Sequence, residues 1–233
     1  LSTAQHIGCR NLVIGCPQAF LTRFIVRLFR WRRLVFLDDG VATLRLRDKI
    51  VKKYQRRHGS ISFFSKFLDV DSQLWLQCWG DEYNSDELIV DGSTCAILGS
   101  PLLEYKILDE NSFRFYLRDL LQLTGENKNV FYFPHRREMA SQKIVTEEGL
   151  TWVDSGFRHG TIPTLLAQKW TPGTFMTFYS SAILNVRLLL RNRTDVRLLI
   201  EEPKSAYARN RELTKAREVS RFIQQELQNS RQR

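Results

Sequence analysis

The stretch VFYFPHRRE, residues 130–138, marks the transition that decides the fold. Its first four residues are aromatic or β-branched, which is typical of a buried strand. The run ends at Pro134, and a histidine, two arginines and a glutamate follow at once (135–138). The sequence therefore predicts a strand that delivers an imidazole and two guanidinium groups to one edge of a sheet.

Short apolar runs of this kind alternate with helix-like stretches along most of the chain. This alternation is typical of a parallel sheet covered by helices, so the predicted fold class is α/β. In the stretch 111–125 apolar residues recur at helical spacing, from a predicted cap at Asn111 to a predicted end at Gly125. The other predicted helices are 41–57, 181–192 and part of 205–233, and the predicted strands are 11–15, 33–37, 93–99, 129–133, 150–154, 174–180 and 196–200.

The middle of the chain departs from this alternation. Residues 71–92 combine aromatic side chains, glycine and a cluster of acids. Such a segment is typical of the end of one folded unit and a linker to the next, near 84–93. The predicted domains are therefore 1–92 and 93–233, and the second ends in a C-terminal helix.

The chain is strongly basic, and its positive charge is concentrated. The formal net charge is +10 and the isoelectric point is near 9.7. The segment 23–33 holds five arginines and no acid, and 45–58 holds seven lysines and arginines with one aspartate. This balance favours an anionic partner, whether nucleic acid, a membrane surface or a phosphorylated substrate. A solvated basic surface is the alternative.

The expected location is the cytoplasm. No apolar run in the sequence reaches the roughly 18–20 residues that a membrane-spanning helix requires. The first 20 residues lack the basic-then-apolar order of a signal peptide. Cys9, Cys16, Cys78 and Cys95 form no CxxC pair, which favours free thiols in a reducing compartment.

Carboxylates follow the predicted strand 33–37, at the end where parallel sheets bind their ligands. Asp38, Asp39 and Gly40 come directly after it. Two carboxylates beside a flexible glycine suit a general base held at a strand end. An ordinary turn with an aspartate helix cap is the alternative.

A glycine and a serine stand at the end of the predicted strand 93–99. Gly99 and Ser100 let the backbone approach a ligand closely. A plain loop with solvated acids is the alternative. The acids that follow are Glu104, Asp109 and Glu110.

The third strand end carries the basic cluster of the opening stretch. Pro134 is followed by His135, Arg136 and Arg137. Imidazolium and guanidinium donors can neutralise and hydrogen-bond a phosphate. The alternative is a first helical turn with exposed basic residues, which the helix dipole disfavours.

Two hydroxyls stand at the end of the predicted strand 174–180. Ser180 and Ser181 open the predicted helix 181–192, and hydroxyls together with free N–H groups at a helix start form an anion site. Capping alone is the alternative. The strand ends together predict an anionic ligand over one half of the molecule and a carboxylate facing it.

Three of these segments, FYFPHRRE (131–138), GTIPTLLAQ (160–168) and FMTFYSSAILNV (175–186), resemble the bacterial lipooligosaccharide sialyltransferases and the related capsular polysialyltransferases. FLDDG (36–40) resembles the acidic motif shared across bacterial sialyltransferases, and ILGSPLLE (97–104) is similar to the segment that enters their second domain. The order and spacing of the segments carry the resemblance.

The resemblance, which spans roughly residues 33–203, implies a GT-B architecture of two Rossmann-like domains facing across a cleft. It implies inverting transfer of sialic acid from CMP-sialic acid to a lipooligosaccharide or capsule glycan, without a metal or other cofactor. It assigns His135 to the departing phosphate, and Ser180 and Ser181 to the donor phosphate. The base that takes the acceptor proton stays open among Asp38, Asp39 and Asp109. The residues expected to bind substrate are Gly40, Gly99, Ser100, Pro134, Arg136, Arg137, Ser180 and Ser181.

Two features depart from the family pattern. Arg136 stands where the family has a proline after the histidine, and only residues 1–35 precede the acidic motif. The second feature implies that strands at the front of the N-terminal domain are missing. Expected partners are a nucleotide-sugar donor, a glycan or glycolipid acceptor and an anionic inner-membrane surface, with no nucleic acid; a homodimer is left open.

Three alternatives to sialyl transfer remain at this point. One is a transferase of the same fold that uses another nucleotide sugar, and another is an inactive homologue. The third is a basic module that binds RNA or an anionic membrane through its arginines and the aromatic rings of Trp31, Tyr54 and Phe63.

Overall fold

A computed structural model of the chain separates into two compact units, Leu1–Asp81 and Glu82–Arg233. The predicted helix 41–57 and the motif 36–40 fall largely outside the described residues. The structure describes residues 8–15, 20–37, 51, 52, 54, 60–64, 88–125, 129–153, 170–190, 193–204 and 211–229.

The first unit contains a parallel sheet in the order β1-β2-β3. Its elements are β1 (Gly8–Ile14), α1 (Phe20–Leu28), β2 (Arg30–Leu37) and β3 (Ser60–Phe64). The central strand, β2, is apolar in its second half, and these side chains pack with one residue of α1. The buried core consists of Val26, Trp31, Leu34, Phe36 and Tyr54.

The second unit contains a five-stranded parallel sheet in the order β6-β5-β4-β7-β8. The strands are β4 (Ile89–Leu98), β5 (Asn129–Phe133), β6 (Thr151–Trp152), β7 (Trp170–Thr177) and β8 (Arg197–Ile200). The helices are α2 (Glu110–Thr124), α3 (Gln142–Glu147), α4 (Ala182–Leu189) and α5 (Arg211–Asn229).

The order of the strands matters for the site, because the chain changes direction across the sheet once. From β4 the chain runs outward through β5 and β6, and then returns to place β7 on the other side of β4. This order is compatible with Rossmann-like doubly wound sheets, whose ligands bind where the order reverses. The α/β class and the parallel sheets predicted from sequence are thereby confirmed.

Both faces of β4 are buried, as its apolar run predicts. Cys95 and Ile97 belong to one core cluster with Phe113 and Leu117 of α2. Ala96, which points to the opposite face by the two-residue period of a strand, is buried as well.

Helix α2 begins and ends at residues with identifiable cap geometry. The side chain of Asp109 accepts a hydrogen bond from the Ser112 N–H at 2.7 Å. The predicted cap at Asn111 is therefore wrong, because the helix is capped two residues earlier. The predicted end at Gly125 is confirmed, and its φ of +81° favours glycine. Asp109 is the N-cap because its backbone is extended, as an N-cap requires.

The unit boundary also differs from the predicted one. It lies at 81/82, ahead of 92/93, and β4 begins at Ile89 rather than at residue 93. Ile89 pairs with Trp170 at the start of β7, so the tail of the predicted linker 84–93 is sheet. The polar residues at 91–93 concealed this, since the register of β4 shifts between Asp91 and Cys95.

Three elements were not predicted. Helix α1 was missed although its apolar residues recur at helical spacing, β3 is only five residues long, and α3 is shorter than two turns. Tertiary contacts hold α3 in place instead. Arg114 of α2 lies 2.5 Å from Glu147, and Arg118 donates to Glu148 at 2.7 and 2.9 Å.

Within the described ranges, no helix combines the length and the apolar character that crossing a bilayer would require.

The Asp109 cap gives a first prediction. Asp109→Ala should lower the free energy of unfolding by about 1 kcal/mol, because the Ser112 N–H loses its acceptor. Asp109→Asn should change it little, since asparagine caps helices about as well. Urea denaturation of the full chain measures both. Equal stability of the alanine variant and the wild type would contradict the capping role.

Candidate functional site

Three strand ends meet at one edge of the second unit. Leu98 pairs with Phe133, and Ile97 pairs with Met176, so β5, β4 and β7 end at nearly the same level. Neighbouring strands lie about 4.8 Å apart. The residues after these strands therefore face one another, and they include His135, Ser100 and the Ser180–Ser181 pair.

The end of β4 fits tightly against the loop that follows β5. The Gly99 N–H donates to the Phe133 carbonyl at 2.8 Å, which extends the pairing of the two strands by one residue. A Cβ at position 99 would lie 2.0 Å from Glu138 Oε2 and 3.0 Å from the backbone nitrogen of His135. Glycine is thus required by the close approach of Glu138, and contact of Gly99 with a ligand stays a prediction.

Glu138 is a buried carboxylate that fixes this loop. Its side chain is 2% exposed, and Oε2 accepts the His135 N–H at 2.6 Å. Oε1 accepts the Tyr132 hydroxyl at 2.6 Å and the Ser141 hydroxyl at 3.3 Å. The Glu138 N–H in turn donates to the His135 carbonyl at 2.8 Å. The carboxylate therefore ties β5, His135 and the start of α3 together.

The same burial changes the acidity of Glu138. Burial raises the pKa of Glu138 to about 8, and the nearby Glu104 carboxylate adds to this effect. The hydrogen bonds from Tyr132, His135 and Ser141 favour the ionised form and oppose the rise. With this pKa the carboxyl carries a proton for most of the time at neutral pH, and one of its bonds to the Tyr132 or Ser141 hydroxyl is then reversed, with Glu138 as the donor.

His135 is a neutral hydrogen-bond donor rather than the imidazolium expected from the sequence. Burial, together with the positive charges of Arg136 and Arg137, lowers the pKa of His135 to about 4. The Arg137 N–H donates to Nδ1 at 3.2 Å, so the ring proton of the neutral form lies on Nε2. Nε2–H is then the group that His135 can offer to a ligand.

The two arginines after His135 differ in their surroundings. The Arg137 guanidinium donates to the Tyr105 hydroxyl and lies 6.0 Å from the centre of that ring. Arg136 is exposed. Nearby, Glu104 Oε1 accepts the N–H groups of Met139 and Ala140 at 2.8 and 3.1 Å, which fixes the loop from its other side.

The end of β7 is joined to the end of β4 through a threonine. The Thr177 hydroxyl donates to the Leu98 carbonyl at 2.8 Å and accepts the Ser180 N–H at 3.1 Å. Ser180 Oγ accepts the Ala182 N–H at 3.4 Å, whereas Ser181 makes no side-chain capping bond.

The first N–H groups of α4 are less available to an anion than its sequence predicts. The Ile183 and Leu184 N–H groups donate to the carbonyls of Ser180 and Ser181 at 3.3 and 3.1 Å. An anion at this helix start would therefore rely on the serine hydroxyls more than on free amides.

Two buried hydroxyls at this edge have no hydrogen-bond partner among the described residues. They are Ser100 Oγ and Tyr179 OH, and Ser100 is 4% exposed. Ser100 follows β4 and Tyr179 follows β7, so both lie where the strand order reverses. Burial raises the pKa of Tyr179, and Tyr105, Glu138, Glu104 and Glu212 contribute to the rise. The Tyr179 ring packs against the core cluster that includes Leu102. A buried hydroxyl without a partner costs about 1–3 kcal/mol, and this cost is removed when a ligand or water bonds to it.

Two of the predicted base residues, Asp38 and Asp39, lie with Gly40 outside the described residues. Asp109 is an exposed cap at the start of the helix that follows β4. Their catalytic role stays a prediction. Of the other predicted site residues, Gly99, Ser100, Pro134, His135, Arg136, Arg137, Ser180 and Ser181 all lie at the carboxyl edge of the sheet.

Three residues at this edge were assigned no role from sequence: Glu138, Thr177 and Tyr179. Glu138 belongs to the opening stretch, and a single acid directly after two arginines was its only signal. The other two sit inside an apolar run, where a hydroxyl is easily taken for ordinary strand composition. Their bonds, or lack of them, become visible only with the fold.

The part of the chain that the structure describes brings together no group of three or more His, Cys, Asp or Glu side chains able to hold a metal ion. No family model, curated protein or solved structure matches this chain.

The tight fit at Gly99 gives a second prediction. Gly99→Ala should lower the free energy of unfolding by about 2–4 kcal/mol, because the new Cβ displaces a buried, hydrogen-bonded carboxylate. Gly92→Ala is the matched control, since a Cβ there meets nothing within 4 Å. Denaturant unfolding measures both, and equal effects of the two substitutions would contradict the described contact.

The raised pKa of Glu138 gives a third prediction. Its carboxyl has an ordinary pKa of 4.5 and a folded value of about 8, so folding takes up a proton between these values. This contribution to stability is fully present below pH 4.5 and is lost as pH rises towards 8. His135 acts oppositely, because its lowered pKa makes stability fall as pH drops from 6.5 towards 4. The window from pH 6.5 to 8 therefore isolates Glu138.

As pH rises from 6.5 to 8, the free energy of unfolding of the wild type should fall by about 2 kcal/mol relative to that of Glu138→Gln. Urea denaturation at several pH values measures the difference, and Glu202→Gln, at an exposed position, is the control. Parallel pH profiles for the wild type and Glu138→Gln would show that the carboxyl is not protonated in the folded state.

Proposed function

We propose that the chain is a glycosyltransferase that transfers sialic acid from CMP-sialic acid to a surface glycan of the lipooligosaccharide or capsule type. In this proposal the two units form a GT-B enzyme, and the second unit binds the nucleotide. The observation that carries the proposal is the pair of unpartnered buried hydroxyls, Ser100 and Tyr179, at the reversal point of a doubly wound sheet. The family resemblance supplies the identity of the donor.

The polar groups around these hydroxyls suit a nucleotide monophosphate. His135 offers Nε2–H from β5, and Ser180 and Ser181 offer hydroxyls from β7. Exposed Arg136 supplies a positive charge beside them. A phosphate bound here would face donors from two strands on either side of β4.

The proposed reaction is an inverting displacement. The bond between the anomeric carbon of sialic acid and the phosphate oxygen breaks, and that oxygen keeps the electron pair as CMP leaves. The acceptor hydroxyl forms the new bond from the opposite side and gives its proton to a carboxylate. Because the phosphate oxygen gains charge as the bond breaks, a hydrogen bond from His135 stabilises the transition state more than the ground state.

Arg137 has a different task in this proposal. Its guanidinium is already bonded to Tyr105 and its N–H to the His135 ring. It therefore orients the imidazole and holds the loop, and Arg136 is left to meet the phosphate or the carboxylate of the sugar. This assigns the two neighbouring arginines to positioning and to binding respectively.

Two of the three aromatic rings on which the RNA-binding alternative depends are buried. Trp31 and Tyr54 are buried in the core of the first unit, at 7% and 6% exposure, and cannot stack on bases there.

His135→Ala provides the fourth prediction. Transfer of sialic acid from CMP-sialic acid to a glycan acceptor should fall by about 10²–10³ in kcat, with the fold intact. Ser180→Ala should cost less, because Ser181 keeps a second hydroxyl at the same helix start. Radiolabelled transfer measures activity, and calorimetry with CMP measures nucleotide binding. Near-normal transfer by His135→Ala would make the histidine structural.

The base is assigned by Asp38→Asn, Asp39→Asn and Asp109→Asn in the same assay. The variant that abolishes transfer while CMP still binds identifies the base. Asp109→Asn is informative because asparagine preserves the helix cap, so any loss of transfer would not stem from unfolding. Absence of both CMP binding and transfer in the wild type would contradict the proposed function.

A further inference from the structure

Helix α1 of the first unit presents an apolar face to solvent. Phe20 is 80% exposed and Phe24 is 50% exposed, and Leu21 and Leu28 are exposed as well. At 100° per residue these four side chains occupy one arc about 100° wide. Val26, which is fully buried, lies on the opposite side of the helix. The helix therefore packs on its sheet with one face and leaves a second apolar face uncovered.

Positive charge borders this face. Arg23 and Arg27 are exposed, and by helical spacing they lie next to the arc at its Phe20 side. Arg30, Arg32 and Arg33 follow directly on β2 and are also exposed.

The first unit is also strongly basic. Residues 1–81 hold fourteen lysines and arginines against six aspartates and no glutamate. Seven of the basic side chains lie at described positions, and all seven are exposed: Arg10, Arg23, Arg27, Arg30, Arg32, Arg33 and Lys52.

From these features we infer that α1 docks on the surface of an anionic phospholipid bilayer. The apolar arc lies at the boundary between headgroups and acyl chains, and the arginines bind lipid phosphates above it. Nucleic acid would satisfy the arginines but not the phenylalanines, whereas a neutral apolar partner would satisfy the phenylalanines alone. An anionic bilayer satisfies both. The inference rests on the first unit and is independent of the proposed transferase activity.

Vesicle co-sedimentation of the full chain tests the inference. We expect binding to vesicles of phosphatidylglycerol and phosphatidylcholine, and much weaker binding to phosphatidylcholine alone. Phe20→Ser with Phe24→Ser should weaken the partition coefficient by about tenfold or more. Phe115→Ser is the matched control, because Phe115 is 62% exposed on α2 and also lies beside an arginine, Arg118.

The charge is tested separately, with variants that leave the apolar arc intact. Arg23→Gln with Arg27→Gln should weaken binding to the anionic vesicles by about tenfold and reduce its dependence on salt. Arg221→Gln, at an exposed position of α5, is the control.

Three results would overturn the inference. The first is equal binding to anionic and neutral vesicles. The second is an effect of the α1 variants no larger than that of their controls. The third is a self-associated chain whose dimer, seen by analytical ultracentrifugation, is dissociated by Phe20→Ser with Phe24→Ser, since the apolar arc would then be covered by a second copy.

Discussion

The carboxylate of Glu138 is the constraint on which the edge of the second unit depends. It is buried, it accepts hydrogen bonds from Tyr132, Ser141 and the His135 backbone, and it leaves no room for a side chain at residue 99. Removing one member of such a network leaves the others buried without partners, which is costly in a low-dielectric interior. The position of His135 is thus set by a buried side chain that bonds to its backbone N–H.

The strand order explains why this rigid loop lies beside groups that lack partners. Because the chain reverses its course at β4, the neighbouring strands β4 and β7 are not consecutive in the chain, and ligands of doubly wound sheets bind at such a point. Thr177 joins these two ends through the Leu98 carbonyl, while the hydroxyls of Ser100 and Tyr179 remain unpaired in the described structure. The Glu138 network is satisfied, whereas, among the described residues, the hydroxyls of Ser100 and Tyr179 and Oε2 of Glu104 are not. This contrast is typical of a site that is completed by its ligand.

The sequence predicts the elements whose signal is local and repeated. The run at β5 gives the strand Asn129–Phe133 to the residue, and the apolar spacing of α2 gives a helix that ends at Gly125. The helix α1 was missed although its apolar residues recur at helical spacing, so its sequence did carry the signal. The placement of Ser100, His135 and Ser180 at one edge followed from parallel strand ends, but the role of Glu138 did not. The burial of Glu138 depends on its approach to Gly99, which is distant in the sequence and lies beside it only in the folded sheet.

The central claim is that the reversal point of the second sheet binds the nucleotide of a sugar donor. The most direct measurement is a crystal structure of the chain with CMP. The account predicts a phosphate oxygen within hydrogen-bonding distance of His135 Nε2, and nucleotide atoms that bond to the hydroxyls of Ser100 or Tyr179. A nucleotide bound away from the ends of β4, β5 and β7, with only water on Ser100 and Tyr179, would contradict it.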